Sequence, residues 1–398
     1  MPFGRVLRGT LGLFLLGHFT HHLVTAIHVP LLPLLRDQFS LDYFRAGLLV
    51  SAFSLVYGVA QLPTGWIADR LGRRLLITLG FAGMALAAFA IGLARDFYQV
   101  VIFLGLVGLL GGSYHPSAPP LISEAVPQET RGRALGIHLM GGSVGFSLAP
   151  LAAGFLASLW SWRGAFMVLA IPTGLTSLLF WRFIRERRVS ASPALAGGEQ
   201  GSAWALLRSL GLLVGVAILA QATTTGVNSF LPIYLVDKHG VSPLRAGMFL
   251  SLVYGAGLVA APLGGALSDR VGRKPVILSS ALATGLLVYL LTVLPMGVGL
   301  MAVFFLLGTA MYARMPVVES LIVDVVPVRQ RSSVFGVYYF LVLESSSAVA
   351  PGMGFLIDRV GPDRGFLYLA AVVVGVTLLA LPFLLRKKVP PFSEKGGT

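Results

Sequence analysis

The stretch GWIADRLGRR at residues 65–74 returns as GALSDRVGRK at residues 265–274. When the offset of 200 is held fixed, 11 of the 30 positions from 45 to 74 are identical in the two copies. The same offset aligns Pro116 with Pro316 and Arg131 with Arg331 without a gap. An ungapped repeat of this length predicts two structurally related halves.

The composition indicates a membrane protein. Of the 398 residues, 56% are hydrophobic and 12% are charged, whereas soluble domains carry roughly 25% charged residues. There are no cysteines, which excludes disulfides and thiolate metal sites. The net charge of +14 comes mostly from short loops between apolar runs, where basic residues set orientation in a membrane. We therefore expect the lipid bilayer as a partner, and no nucleic acid.

A membrane-spanning helix needs about 20 largely apolar residues, and the chain has twelve such runs. They predict an all-α membrane protein with 12 transmembrane helices in two pseudosymmetric six-helix bundles. The runs lie near 11–35, 45–67, 75–93, 98–124, 134–158, 163–183, 205–234, 245–267, 276–294, 297–325, 333–357 and 364–385.

The basic residues predict the orientation. With the N-terminus in the cytoplasm, 21 basic residues fall inside and 8 outside, and Arg314 lies within a span. This excess predicts an inner-membrane protein with both termini cytoplasmic. We expect an N-terminal bundle over 1–184, a cytoplasmic linker over 185–204, a C-terminal bundle over 205–386 and a cytoplasmic tail over 387–398.

Polar side chains concentrate in spans 1, 4, 7, 10 and 11, and such groups at bilayer depth are costly and usually functional. Spacing puts His18, His21, His22 and His28 on one broad face of span 1, whereas His138 is expected to be peripheral, near the cytoplasmic end of span 5. The expected substrate-binding or coupling residues are His22, Tyr114, His115, Asn228, Arg314, Glu319 and Glu344.

Arg314 is the most informative of these residues because a guanidinium cannot lose its proton in a protein. It needs an anion, for which the sequence offers Glu319, Glu344 or an anionic substrate. We expect protons as the coupling ion and no other cofactor. We also expect no metal site, because the span 1 histidines have no carboxylate or cysteine beside them. The chain shows no nucleophile–base arrangement and is not expected to be an enzyme.

The repeated stretch resembles the signature of the major facilitator superfamily, Gly-x-x-x-Asp-Arg/Lys-x-Gly-Arg/Lys-Arg/Lys, which follows that family's second helix. The resemblance implies the family's fold, and gating loops that latch the cytoplasmic helix ends. Glu124 and Asp324 at cytoplasmic helix ends are expected to pair with loop arginines. The matching gating residues are Gly65, Asp69, Arg70, Gly72 and Arg73 in the first copy, and Gly265, Asp269, Arg270, Gly272 and Arg273 in the second.

Span 5 resembles the family's antiporter signature through Gly145, Pro150 and Gly154, with alanines at two positions where the signature has glycine. Local tracts such as Tyr114-His115-Pro116 are similar to the fosmidomycin-resistance branch of drug exporters. Drug:proton antiporters of the superfamily usually carry an arginine early in the fourth span, where this chain has Leu104. Their proton-coupling scheme therefore does not simply transfer to this chain.

The resemblance implies a monomeric secondary active transporter that works by alternating access. Proton-coupled export of a small amphiphilic or anionic drug-like compound is the leading hypothesis for its function. Uptake or exchange of an organic anion, such as a carboxylate or a phosphorylated metabolite, is the first alternative. A non-transporting membrane receptor or scaffold is the alternative from another class.

Overall fold

A computed structural model describes the backbone of residues 7–127, 130–186, 200–325 and 331–386. Within these ranges it does not describe the side chains of 7–8, 65–66, 69, 132–133, 200–210, 323–325, 331–337, 339–341, 343–346 and 385–386. The predicted linker and C-terminal tail lie largely outside the described residues, so the predicted domain boundaries stay a prediction.

The described backbone is almost entirely helical and contains no strand. After a short π-helical turn at Leu7–Leu11, fifteen α-helices follow in chain order. They are α1 (Gly12–Thr25), α2 (Leu32–Phe39), α3 (Tyr43–Leu71), α4 (Arg73–Leu93), α5 (Phe97–Gly111), α6 (Tyr114–Ala125), α7 (Arg131–Leu159), α8 (Trp162–Phe183), α9 (Gln200–His239), α10 (Pro243–Gly255), α11 (Gly257–Val271), α12 (Arg273–Val293), α13 (Val298–Val325), α14 (Arg331–Val360) and α15 (Pro362–Arg386).

The helices agree with a polytopic membrane protein. Among the described residues, ten helical segments are long and apolar enough to cross a membrane. The predicted first span is divided into α1 and α2, and the predicted eleventh span is the continuous helix α14, many of whose side chains lie outside the described residues. The all-α class is confirmed, and the architecture is consistent with twelve spans.

The first span breaks where proline removes backbone donors. Helix α1 ends at Thr25, and α2 begins at Leu32 with Pro33 in its first turn. Pro30 lies in the intervening turn; it has no N–H for a helical hydrogen bond and disfavours a helical residue before it.

The predicted fourth span also breaks, between α5 and α6. Pro116 has no N–H, so it cannot donate to the carbonyl of Gly112, its helical partner. The hydroxyl of Thr64 on α3 lies 3.4 Å from that carbonyl, but its shorter hydrogen bond, at 2.5 Å, goes to the carbonyl of Ala60. Tyr114 and His115 are the first two residues of α6, directly after the break.

The structure divides into two compact units. The first contains 1–192, 228–255 and 350–358, and the second contains 193–227, 256–349 and 359–398. In the first unit α4 packs on α8, α1 on α7, α3 on α5, and α7 on α10. In the second unit α12 packs on α15 and α13 packs on α11 and α12. The pairs α4–α8 and α12–α15 correspond in the repeat, as do α3–α5 and α11–α13.

Candidate functional site

The centre of the first unit holds a cluster of histidines. Helix α1 contributes His18 and His22, and the break before α6 brings His115 toward them. One ring nitrogen from each of these three residues lies within 4.8 Å of the others. The Nε2 atoms of His18 and His22 are 3.1 Å apart. His18 is buried, whereas His22 and His115 are partly exposed.

His138 belongs to this cluster, which makes the expectation of a peripheral His138 wrong. Its ring stacks on that of His18, with centroids 4.2 Å apart and planes 15° apart, and the residue is only 2% exposed. Helix α7 packs along α1, with Gly141 against the backbone of Leu15 and Gly145 against that of Phe19. Because His138 lies on the same face as these glycines, this packing places its ring against α1.

Two further rings support the cluster. His21 stacks on Tyr114 with ring centroids 4.9 Å apart, and its Nε2 lies 3.2 Å from the hydroxyl of Tyr57. The hydroxyl of Tyr114 donates to the carbonyl of Phe14 at 3.1 Å. Tyr114, predicted as a site residue, is therefore a buried member of the wall around the histidines.

His28 lies apart from the other histidines of the predicted first span. Because α1 ends at Thr25, His28 follows the helix and does not continue its face. Its Nδ1 lies 2.9 Å from the carbonyl of Thr25, and its ring contacts Phe53. The expectation of a single face that includes His28 is therefore wrong, and the cause is the proline-induced break.

The second unit contains a buried cation. Arg314 on α13 is 1% exposed. Its guanidinium donates to Oγ1 of Thr284 and to Oε1 of Gln221, each at 3.3 Å. Both acceptors are neutral, and none of the ion pairs among the described side chains involves Arg314. Gln221 belongs to the polar side chains of span 7 that the sequence indicated, whereas Thr284 was not singled out. Only the depth of Arg314 in its span indicated that it needs partners.

Three other predicted site residues, Glu319, Glu344 and Asn228, follow in the C-terminal half of the sequence. Glu319 is partly exposed, and Tyr338 interacts electrostatically with both Glu319 and Arg314. Glu344 lies on α14, but its side chain is outside the described residues, so the predicted pair of Arg314 with Glu344 stays a prediction. Asn228 on α9 is buried in the first unit.

The first gating loop connects α3 to α4 through Gly72, whose φ of 96° favours glycine. Arg73 pairs with Glu124 of α6 at 2.5 Å. The carboxylate of Glu186 accepts from the backbone N–H groups of Arg73 and Arg74, at 2.9 and 3.0 Å. It thereby caps the N-terminus of α4, where anions are favoured. Gly65 lies on α3 and Arg70 is exposed; the side chain of Asp69 is outside the described residues.

The second gating loop has the same backbone turn, with Gly272 at a φ of 92°. Here Arg273 pairs with Asp269 of the same loop at 2.5 Å and also donates to Ser268. Arg270 is exposed, and Gly265 lies on α11 with open space around it. The side chain of Asp324 lies outside the described residues.

The antiporter-like residues of α7 pack against two different neighbours within the first unit. Gly145 contacts α1 at Phe19, whereas Pro150 and Gly154 face α10. A Cβ at Gly154 would lie 2.9 Å from the Cα of Leu244, and Gly247 of α10 contacts the carbonyl of Pro150. This segment is thus a close helix–helix contact between the two sequence halves, as small residues permit.

A polar contact near the predicted periplasmic ends of the helices was missed in the sequence. Arg36 donates to both carboxylate oxygens of Asp237, at 2.5 and 2.8 Å. This hydrogen bond raises the pKa of Arg36 above its ordinary value. Tyr43 donates to Asp237 at 2.7 Å, and its backbone N–H donates to Asp358 at 3.0 Å. The offset of 200 aligns Asp37 with Asp237, which was the available signal.

The sequence of this chain is similar to those of known membrane proteins. The sequence profile of the Major Facilitator Superfamily matches residues 14–257 and 212–397, and the chain belongs to that family. It is a multi-pass membrane transporter and not an enzyme. The chain is similar to the Multidrug resistance protein MdtG of Salmonella arizonae, with 31% identity over 77% of this chain and 78% of the relative. The protein of that name from Salmonella heidelberg is 32% identical over the same shares.

Solved structures agree on the fold. A bacterial homologue of the human lysosomal transporter Spinster, in an inward-facing and occupied conformation, has a TM-score of 0.80 at 19% identity and covers 97% of both chains. A POT family transporter in complex with a thioalcohol conjugated peptide has a TM-score of 0.79 at 15% identity, covering 95% of this chain and 96% of that chain. At these identities the likeness is one of fold.

Proposed function

We propose that this transporter exports small amphiphilic or anionic drug-like compounds by proton-coupled alternating access. The similarity to proteins named Multidrug resistance protein MdtG, over about three quarters of both chains, supports the drug-like substrate class. The antiporter-like contact of α7 supports exchange with a driving ion.

The observation that carries the proposal is the environment of Arg314. Its guanidinium is fully buried and rests on two neutral oxygens, from Gln221 and Thr284. Leaving a buried charge without a countercharge typically costs several kcal/mol, about 3–5 where one partner of a pair is removed. An anionic substrate group is one source of that countercharge, and a nearby glutamate is the other.

Coupling follows from competition between those two sources. We propose that Glu344 pairs with Arg314 when it is ionised and releases it on protonation, so that substrate and proton exchange at one cation. His22 and His115 are secondary proton carriers, because histidine changes charge near neutral pH. Alternating access would use the paired gating loops in each half, together with the close contacts that Gly47 and Gly247 make with α14 and α7.

Transport in proteoliposomes with an imposed pH gradient tests this function. The probes are the phosphonate antibiotic fosmidomycin, which is anionic, and chloramphenicol, which is neutral. We expect gradient-driven movement of at least one probe by the unaltered protein. Arg314→Lys should lower fosmidomycin transport by about tenfold or more and affect chloramphenicol less, because lysine lacks the planar fork that grips phosphonates.

Glu344→Gln separates coupling from binding in the same assay. We expect this variant to lose accumulation against a gradient and to retain exchange of the probe down its own gradient. Lys238→Arg, near the end of α9, is the control for an exchange between basic side chains of equal charge. If Arg314→Lys and Glu344→Gln both transport with unchanged pH dependence and affinity, the proposed roles of this pair are wrong.

Uptake or exchange of an organic anion is the second candidate, and it rests on the same buried Arg314. It predicts movement of simple carboxylates or phosphate esters in the direction of uptake. Proteoliposomes loaded with citrate or glycerol phosphate distinguish the two functions, because counterflow of these anions with no drug transport would favour the second.

We further propose that the protein lies in the inner membrane with both termini and the linker in the cytoplasm. The excess of 21 basic residues inside over 8 outside supports this orientation. Single cysteines at Ser192 and Asp96 in this cysteine-free chain test it with an impermeant thiol reagent on intact cells. We expect the reagent to label the cysteine at position 96 and not the one at position 192. Labelling at position 192 alone would mean that the orientation is the opposite of the proposed one.

A further inference from the structure

We infer that His18, His22 and His115 form a binding site for a divalent first-row transition-metal ion, with zinc as the representative ion. The three residues come from two helices, α1 and α6. They offer one ring nitrogen each, and these nitrogens lie within 4.8 Å of one another. This site goes beyond the proposed transport function, in which His22 and His115 have only a secondary role, and it departs from the sequence-based expectation of no metal site.

The distances suit a metal ion. Zinc binds histidine nitrogens at about 2.0–2.1 Å with tetrahedral geometry, so two ligand nitrogens lie roughly 3.4 Å apart. The Nε2 atoms of His18 and His22 are already 3.1 Å apart. The residues lie four positions apart on α1, the spacing that puts two side chains on one helix face. Closing the site requires the ring nitrogen of His115 to move by at most about 1.4 Å toward that pair, from 4.8 Å to roughly 3.4 Å.

The protonation of His18 is set for coordination. Its Nδ1 lies 3.0 Å from the carbonyl of His138, and a carbonyl can only accept, so Nδ1 must carry the hydrogen. In the neutral ring Nε2 then has a lone pair, which accepts from Nε2–H of His22 in the metal-free protein. Metal binding replaces this hydrogen bond, with the hydrogen of His22 moving to its Nδ1. Metal-binding histidines commonly have this arrangement, in which the second nitrogen donates to a backbone carbonyl and fixes the tautomer.

The surrounding rings hold this geometry. His138 stacks on His18 at 4.2 Å, and its own Nδ1 lies 3.2 Å from the carbonyl of Phe14. The ring centroids of His115 lie 5.3 Å from that of His18 and 5.8 Å from that of His22. The ligand rings are therefore part of a packed aromatic wall, which reduces the ordering needed on binding.

The chemistry of the donor set selects the ion. Three neutral imidazoles suit zinc, copper and nickel, whereas magnesium and calcium prefer oxygen ligands. A site with three histidines also leaves a fourth position for water or another ligand. His22 and His115, the two partly exposed members, provide the side from which an ion enters.

Cobalt(II) titration of the purified full chain tests the site. The protein carries a streptavidin-binding tag, because a polyhistidine tag would itself bind the metal, and it is first treated with a chelator. Cobalt in a four- or five-coordinate histidine site gives strong visible ligand-field absorption. We expect one cobalt ion per chain, displacement by zinc, and no effect of magnesium.

Matched variants identify the ligands. His22→Ala and His115→Ala should each weaken cobalt and zinc binding by at least about tenfold, whereas His28→Ala, the control from the same predicted span, should bind like the unaltered protein. Thermal unfolding in chelator verifies that each variant is folded, and zinc should raise the melting temperature of the unaltered protein and of His28→Ala only. Absence of stoichiometric cobalt binding, or equal binding by folded His22→Ala and His115→Ala, would overturn the inference.

Discussion

The two gating loops, which turn at Gly72 and Gly272, share one backbone conformation. Gly72 and Gly272 have φ values of 96° and 92°. In each loop the following basic residue also reaches a carbonyl near the end of a later helix, Arg74 at Trp181 and Lys274 at Leu384. The repeat thus preserves the turn and one anchor of the loop.

One carboxylate contact belongs to the first loop alone. Arg73 pairs with Glu124 of α6, Arg273 pairs with Asp269, and Glu186 caps α4. The residue at offset 200 from Glu186 is Arg386, so the second half has no equivalent cap from that position. Duplication therefore retained the backbone geometry, while the cap from Glu186 belongs to the first copy.

The polar centres of the halves diverged further. The first unit gathers five histidines, His18, His21, His22, His115 and His138, around Tyr114. The second unit has the buried cation Arg314 on Gln221 and Thr284. We propose proton or metal uptake at the first centre and anion binding at the second. Three predictions use the repeat to test which features are shared.

The largest loss of function is expected from substitutions at the glycines where helices of the two sequence halves pack against each other. Gly247 contacts the carbonyl of Pro150, and a Cβ at Gly47 would lie 2.6 Å from the carbonyl oxygen of Ala350. Gly247→Ala and Gly47→Ala should each destabilise this packed state by about 1–3 kcal/mol, the cost of overpacking. That corresponds to roughly a 5–150-fold change in its population.

Fosmidomycin transport in proteoliposomes measures this effect, with a loss of about fivefold or more expected for each variant. Gly255→Ala is the matched control, because it ends the same helix as Gly247 and a Cβ there meets open space. Normal transport by Gly247→Ala together with impaired transport by Gly47→Ala would show that the two contacts are not equivalent, contrary to the repeat.

A smaller effect, on thermal stability, is expected from substitutions of the glycines in the two gating loops. Gly72→Ala and Gly272→Ala each place a side chain at positive φ, which costs about 1–3 kcal/mol. The loss in melting temperature should be greater for Gly72→Ala, because its Cβ would also lie 3.1 Å from the carboxylate of Glu186, whereas the nearest atom to Gly272 is Cδ of Pro275 at 3.8 Å.

Thermal unfolding in detergent compares the two loop variants. Gly136→Ala in α7 is the control, since nothing lies near its Cβ position and alanine favours a helix. Equal losses for both loop variants would mean that Glu186 yields to the new methyl group. A larger loss for Gly272→Ala would contradict the difference between the loops.

The sequence predicted what depends on the repeat and on hydrophobic length. The spans and the signature loops follow from patterns that a single chain displays. It did not predict the histidine cluster, because His115 reaches α1 only through the break before Pro116, and His138 only through the packing of α7. The spacing of His138, Gly141 and Gly145 on one helix face was a usable signal for the second contact.

The partners of Arg314 were unpredictable for a different reason. Gln221 and Thr284 come from α9 and α12, distant in sequence, and each is an ordinary polar residue within an apolar run. Thr284 also donates to the carbonyl of Ser280 in its own helix, as Thr224 does to that of Ala220. Its local pattern therefore gives no sign of a second partner. Only the three-dimensional packing of the second unit brings them to the cation.

The smallest effect is expected at the aligned aspartates Asp37 and Asp237, which both contact Arg36. The side chain of Asp37 is 62% exposed, and that of Asp237 is 33% exposed. Asp237 also accepts from both terminal nitrogens of Arg36 and from Tyr43. Asp237→Asn should therefore lower the free energy of unfolding by about 1 kcal/mol at low salt, and Asp37→Asn by much less, because exposed single ion pairs contribute little.

Melting temperatures at low and high salt measure the effects of both substitutions. The effect of Asp237→Asn should shrink at high salt, because salt screens the charges. Repeating both changes in an Arg36→Gln background gives the coupling energies. Equal coupling of the two aspartates to Arg36 would mean that the repeat, and not the bidentate geometry, determines the strength of this contact.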